Sequence, residues 1–212
     1  MNIVISVTTA ADTIYIDDIR EAVYKSALER GTGIAVRSYD YLKEKIEAGK
    51  AVIALDGKEL AAFAYIETWS HSRFVANSGL IVLHKYRDKG LARKVKKRIF
   101  DLSRKLYPNA KIFSITTGLA VMKLNTELGF KPVPYSELTD DPQFWKGCEG
   151  CINYDILQRN NYKMCLCTGL LYDPAASKKS LLPTILVSAG KSLVLSPLVK
   201  VNSLISNIKN GK

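Results

Sequence analysis

The segment Arg87-Asp88-Lys89-Gly90-Leu91-Ala92 follows the apolar run Leu80-Ile81-Val82-Leu83 and opens a helical pattern. A strand that turns into a helix through glycine is suited to hold a phosphate. The first helical turn has unpaired N–H groups and a partial positive charge. Gly90 lets a ligand approach the backbone, and Ala92 is too small to obstruct it. Arg87, Lys89 and Arg93 add positive charge. Neither GxxxxGK followed by Ser or Thr nor GxGxxG occurs here, which excludes the usual mono- and dinucleotide loops.

A second cluster lies further on. Cys148-x2-Cys151 and Cys165-x-Cys167 place four thiols within twenty residues. Two close pairs around a strand-like segment suit a structural zinc. Reduced core cysteines and redox chemistry are the other readings.

Hydrophobic periodicity gives the elements that must position these groups. Asn2 to Thr8 alternates as a strand. A helix follows with Asp12 as its cap and Ile16, Ile19, Val23 and Leu28 on one face, ending near Gly31. Ser38 and Gly49 bracket a second helix. Asp56-Gly57 joins two apolar strands in a tight hairpin, and 73–83 reads as another strand. The helix from Arg87 carries Leu91, Val95, Ile99, Phe100 and Leu106 as its apolar stripe. Strand 111–118, a helix closed by Gly129 and an extended segment follow. The order β-α-α-β-β-β-α-β-α-β predicts an α/β (α+β) fold, a mixed central sheet with helices on both faces. Beyond it, 141–147 reads as a short helix and 152–158 as a strand.

The chain has 212 residues, 47% hydrophobic and 24% charged, enough to bury a core. Its formal net charge of +11 favours an anionic partner without naming it. The basic helix has no interleaved aromatic residues for base stacking, which argues against nucleic acid as a partner. Its apolar face is needed for the core, which argues against a membrane helix. No secretion signal and no 18-residue apolar run are visible, so a cytoplasmic location with reduced thiols is expected. From Ala175 the composition shifts to lysine, serine, leucine and valine, in a basic and apolar arm that includes Pro183 and Pro197.

Arg87-x-x-Gly90-x-Ala92 resembles the R/Q-x-x-G-x-G/A signature of the GNAT N-acyltransferases, and "AVMKLNTELGF" is similar to that family's second motif. The likeness covers roughly residues 1–137, so the expected division is a GNAT core at 1–137, a Cys-rich extension packed on it at 138–174, and the arm at 175–212. The resemblance implies an acyl-CoA donor. Residues 87–92 (Arg87, Asp88, Lys89, Gly90, Leu91, Ala92) would hold its pyrophosphate. Leu80, Ile81 and Val82 would pair with pantetheine, held between strands splayed at Ile81 and Phe113. Many members carry a tyrosine acid four residues before the glycine of the second motif. Here that position, implied to lie against the donor, is Asn125, which cannot protonate a thiolate.

A closer likeness rests on "RGTGIAVRS", "FVANSGLIV", "TTGLAVMKLNTELGF", "GCEGCINYDIL" and "CLCTGLLYDP". These resemble short bacterial glutamate N-acyltransferases of arginine biosynthesis, which make N-acetyl- or N-succinylglutamate. That implies acetyl-CoA or succinyl-CoA as donor and a small amino-acid acceptor. Arg30 and Arg37 would clamp its carboxylates, with Asn77, Ser78, Thr116, Thr117 and Lys123 around it. Glu67 is the candidate base. Tyr135, a water, or departure of the bare thiolate would stand in for the absent tyrosine acid. A homodimer is open.

Overall fold

The computed structural model describes residues 2–30 and 36–179. Seven strands form one mixed sheet: β1 (Ile3–Val7), β2 (Ala51–Asp56), β3 (Glu59–Trp69), β4 (Phe74–Val82), β5 (Lys111–Thr116), β6 (Lys131–Val133) and β7 (Thr168–Tyr172). Their spatial order is β1-β2-β3-β4-β5-β7-β6. All pairs are antiparallel except β4 with β5. The helices are α1 (Ile16–Arg30), α2 (Tyr39–Glu47), α3 (Leu91–Leu106), α4 (Leu119–Glu127), α5 (Pro142–Lys146), α6 (Tyr154–Arg159) and α7 (Pro174–Lys179).

Helices cover both faces, so the central strands are apolar on both sides rather than alternating. On one face Val95, Ile99 and Leu102 of α3 pack on Val52, Ala62, Ala64 and Ile66. On the other, Ile16, Ile19, Leu42 and Ile46 of α1 and α2 pack on Ile53, Phe63 and Tyr65. Further along that second face, Trp145 and Leu157 of the extension pack on Ala76, Phe113 and Leu171.

The first ten elements follow the predicted order, and three local features match. The Ser38 hydroxyl accepts from the Tyr41 amide as the α2 N-cap, Gly49 stands just beyond that helix at φ 61°, and Gly57 turns the β2–β3 hairpin at φ 63°. Asp12 is not the cap of α1: it lies inside a short 3-10 turn at Ala10–Tyr15, where its carboxylate accepts from the amide of the N-cap Thr9 at 2.7 Å. Leu28 and Leu106, assigned to apolar stripes, are exposed.

The larger departures come after residue 138. The segment expected as a strand, 152–158, contains α6, and an Asp155–Arg159 ion pair at 3.1 Å spans its i,i+4 positions. The extension does more than pack on the core: its β7 is hydrogen-bonded between β5 and β6, inside the sheet. The arm from residue 180 lies outside the described residues. Among the described residues no helix is long and apolar enough to cross a membrane.

Strand β4 has two irregularities. It pairs with β5 only at Phe74↔Lys111, Val75↔Ile112 and Ala76↔Phe113. Beyond Ala76 the two strands part, so the expected splay begins after Phe113, not at it. Against β3, the register slips between Phe63 and Tyr65, opposite Gly79 and Leu80. Gly79 has φ 63°, and a Cβ there would lie 2.4 Å from Cε1 of Tyr65. A side chain is excluded twice over, by backbone and by space.

Candidate active site

Where β4 and β5 part, a cavity of about 260 Å³ opens through the sheet. Its strand walls are Asn77, Ser78, Gly79 and Leu80 on one side and Ser114, Ile115 and Thr116 on the other. With no neighbour on that side, the β4 edge past Ala76 presents backbone groups to the cavity. That is how one extended chain receives another. Thr117, Gly118 and Val121 lead from β5 into α4 along the rim, and Thr116 Oγ1 accepts from the Gly118 amide at 3.0 Å.

Arg37 reaches the cavity from the residue before the α2 N-cap. Its Nε donates to Tyr65 Oη at 3.1 Å, its guanidinium lies 5.2 Å from the Tyr41 ring centroid, and Gly147 leaves room beside it. No carboxylate of the described residues pairs with it. Burial works against its charge, but Tyr65 and Tyr41 more than offset this and hold its pKa above the ordinary value. The result is a desolvated planar cation with free N–H groups on the cavity wall, suited to a carboxylate.

Lys96 lines the same cavity from α3 and is 2% exposed. The apolar stripe of that helix was readable in the sequence, but Lys96 passed as part of its solvated face. Its Nζ donates to Asn77 Oδ1 at 3.3 Å and sits 5.3 Å from the Phe130 ring centroid. Burial alone lowers its pKa to about 7.

The extension closes the far side with Phe144, Trp145 and all four cysteines. The thiols do not assemble a metal site: among the described residues no three His, Cys, Asp or Glu side chains could hold an ion. Burial first, and neighbouring thiols second, push Cys148 up to about 11 and Cys167 up to about 12. In the absence of a metal these two thiols stay protonated at neutral pH, which does not suit nucleophilic chemistry.

The other expected site residues fall in different places. Tyr135 lines the cavity, but its hydroxyl donates to the Cys167 carbonyl at 2.8 Å, and burial raises its pKa. Glu67 is not on the cavity wall. Its carboxylate accepts from Tyr41 Oη at 2.6 Å and is paired with Lys45 Nζ at 2.7 Å. Asn77 is turned toward α3, where its Nδ2 donates to Ser103 Oγ at 2.8 Å. Asn125 is fully buried in α4, with no hydrogen bond from its side-chain amide among the described residues. Lys123 is exposed and off the cavity. The Arg30 side chain, Gly31 and Gly33 lie outside the described residues.

At the phosphate-loop candidate, Gly90 caps α3 at φ 73° and Asp88 has φ 60°. Nothing lies within 4 Å of a Cβ built on Gly90, so the helix N-terminus is open on that side. Leu91 anchors the first turn in the core, and Ala92 packs beside it. Arg87 is turned away from the loop: Nη1 pairs with Glu29 at 3.0 Å and Nε donates to the Val82 carbonyl at 3.2 Å. Lys89 Nζ donates to the Lys85 carbonyl, and Arg93 pairs with Glu127 across to α4. Ile81 and Val82 are buried, so only their backbone is placed to meet a donor; Leu80 lines the cavity.

Solved structures share this arrangement of strands and helices at the level of the fold. One is N-acetylglutamate synthase from Neisseria gonorrhoeae with coenzyme A and N-acetyl-glutamate, at TM-score 0.58 and 18% identity over 82% of this chain and 35% of that one. The fold is that of the GNAT acetyltransferases. A GNAT superfamily phosphinothricin acetyltransferase from Sinorhizobium meliloti, in complex with acetyl-CoA, matches at TM-score 0.53 and 15% identity over 82% of this chain and 89% of that one. Diaminobutyrate acetyltransferase from Paenibacillus lautus, with diaminobutyric acid and coenzyme A, matches at 0.54 and 10% identity over 82% and 95%. The chain thus spans about a third of the Neisseria synthase chain. No protein-family profile and no curated protein matches the sequence.

Proposed function

We propose that this protein is an acyl-CoA-dependent N-acyltransferase that acylates the α-amine of glutamate, or of a near relative with the same carboxylates. The open β4 edge takes the pantetheine amides, and the α3 N-terminal amides around Gly90 take the pyrophosphate. The thioester then lies in the cavity, and the acceptor enters from the Arg37 side. The observation that carries the acceptor assignment is Arg37: a charged guanidinium on the cavity wall, supported by Tyr65 and Tyr41, with no carboxylate of the described residues to satisfy it. A cationic amine would meet repulsion there, and an amino acid would not. GNAT-fold structures solved with N-acetyl-glutamate and with diaminobutyric acid lend support, since both ligands are amino acids or their derivatives.

Catalysis on this reading is mostly positioning. The acceptor nitrogen loses one proton and attacks the thioester carbonyl, and the sulfur leaves. Glu67 acts as support rather than base. It holds Tyr41 and Lys45, and Tyr41 in turn backs Arg37.

The test is CoA release with acetyl-CoA and succinyl-CoA against glutamate, aspartate, ornithine and a polyamine. Turnover of glutamate is expected, and turnover of cationic amines alone would refute the acceptor assignment. A second reading, CoA binding without turnover, is favoured by Asn125, which offers no acidic proton. Tight CoA binding with no turnover of any amine would establish it.

A further inference from the structure

Breaking a thioester here releases a sulfur anion into the cavity between β4 and β5. Some group must supply a proton or the thiolate leaves bare. The cavity wall carries such protons on the hydroxyls of Tyr65, Tyr135 and Tyr154, on the four cysteine thiols and on Lys96. The Tyr135 hydroxyl has its single proton committed to the Cys167 carbonyl at 2.8 Å. The thiols of Cys148 and Cys167 are held protonated too tightly to be good donors. Lys96 differs from all of these.

Lys96 is aimed rather than merely buried. Ser103 Oγ donates to the Ile99 carbonyl at 2.8 Å, so it receives Asn77 Nδ2 at 2.8 Å through a lone pair. That fixes the Asn77 amide with Oδ1 toward Lys96 Nζ, 3.3 Å away. One N–H of Lys96 is thereby engaged, the Phe130 ring lies 5.3 Å from Nζ, and among the described residues no second acceptor is fixed for the remaining N–H groups. Among the described residues no charged group from β3, β4, β5 or α4 perturbs it, and burial accounts for its lowered pKa. Asn77 belongs to the first residue pair beyond the point where β4 and β5 part, so the ammonium stands at the floor of the fork.

We propose that Lys96 is the acid that protonates the coenzyme A sulfur as the acyl group is transferred. The inference rests on the N-acyltransferase reading above. In the step, the C–N bond forms and the C–S bond breaks, with its electron pair going to sulfur. The sulfur takes a proton from Lys96 Nζ, leaving a neutral amine. The new amide nitrogen sheds its second proton, and that proton restores Lys96. A lysine whose two forms are close in energy at neutral pH does this without an external proton source.

The experiment compares wild type with Lys96→Met, which keeps the volume and removes the N–H groups. The expected result is a fall of about a hundredfold or more in kcat, within the range for a general acid, with acyl-CoA KM within about twofold. In wild type, kcat falls above the pH at which Lys96 titrates, and this limb is absent from the variant. The titration is followed independently by NMR of 13Cε-lysine enzyme with desulfo-CoA bound. If the variant does not fold, the wild-type limb decides: a match to the NMR titration supports the proposal, and no limb overturns it. An unchanged kcat overturns it. So does a higher KM for succinyl-CoA with acetyl transfer intact, which would make Lys96 a clamp for the donor carboxylate. The comparison is read on whichever amine wild type acylates. Failure on glutamate therefore refutes the acceptor assignment alone, while failure on every amine removes both.

Discussion

Arg37 and Lys96 line one cavity, and burial acts on both, but their neighbours differ. Tyr65 and Tyr41 keep Arg37 charged, whereas among the described residues an amide oxygen and a ring face Lys96. Charge-assisted hydrogen bonds are worth about 1.5–3 kcal/mol, so Arg37→Gln should raise acceptor KM roughly tenfold to a hundredfold. Acyl-CoA KM should stay within about twofold, and an equal rise in both by steady-state kinetics would contradict the assignment. Lys96→Met carries a second expectation, in stability. The folded-state pKa of about 7 lies below the ordinary 10.5. Between these values the unfolded chain binds more protons, so wild-type stability rises with pH across that window. Below about 7 the penalty is fully present, and at about 1.4 kcal/mol per pKa unit it amounts to several kcal/mol. Urea midpoints at pH 6, 8 and 10 should show the variant more stable at pH 6, with its advantage shrinking toward pH 10. A constant difference would mean that Lys96 is not displaced in this way.

The elements most legible in the sequence are those whose pattern is local. The Ser38 cap, the Gly57 hairpin and the stripe of α3 could be read because capping, turn chemistry and helical period act within a few residues. The fork could not, because where β4 leaves β5 depends on pairing across the sheet. Lys96 was missed for a related reason: it lies among Arg93, Lys94 and Lys97, and only its spacing three before Ile99 and seven before Ser103 marks the buried side. The four cysteines looked like ligands because spacing is visible and burial is not. Gly79 gives a test at this scale. Gly79→Ala adds a left-handed backbone cost of about 1–2 kcal/mol and drives a Cβ to 2.4 Å from the Tyr65 ring. Moving Tyr65 breaks its 3.1 Å bond with Arg37, so acceptor KM should rise along with the loss of stability. Gly90→Ala, at φ 73° with nothing within 4 Å, should show the backbone cost and a higher acyl-CoA KM but spare the acceptor. Equal effects on acceptor KM would separate Tyr65 from acceptor binding.

At the scale of the whole molecule, the sequence suggested a core that ends near residue 137, and the sheet disagrees. Residues up to 137 supply β5 and β6, but those strands do not touch each other; β7 stands between them and bonds to both. Without it β5 would carry an unpaired edge, and β6, three residues long, would have no partner. The same cut removes Trp145, Leu157 and Leu171 from the cluster over Ala76 and Phe113, and with them the cavity wall that faces Arg37. Losing several buried aromatic and aliphatic side chains costs about 2–5 kcal/mol each, comparable together with the whole stability of a domain. A chain ending at 137 should therefore give no cooperative thermal transition and a collapsed amide NMR spectrum. A chain ending at 179, which keeps β7 and α7, should unfold in one transition. Cooperative folding of the shorter chain would mean that β5 and β6 can pair directly, and would restore the extension to the role of a separate layer.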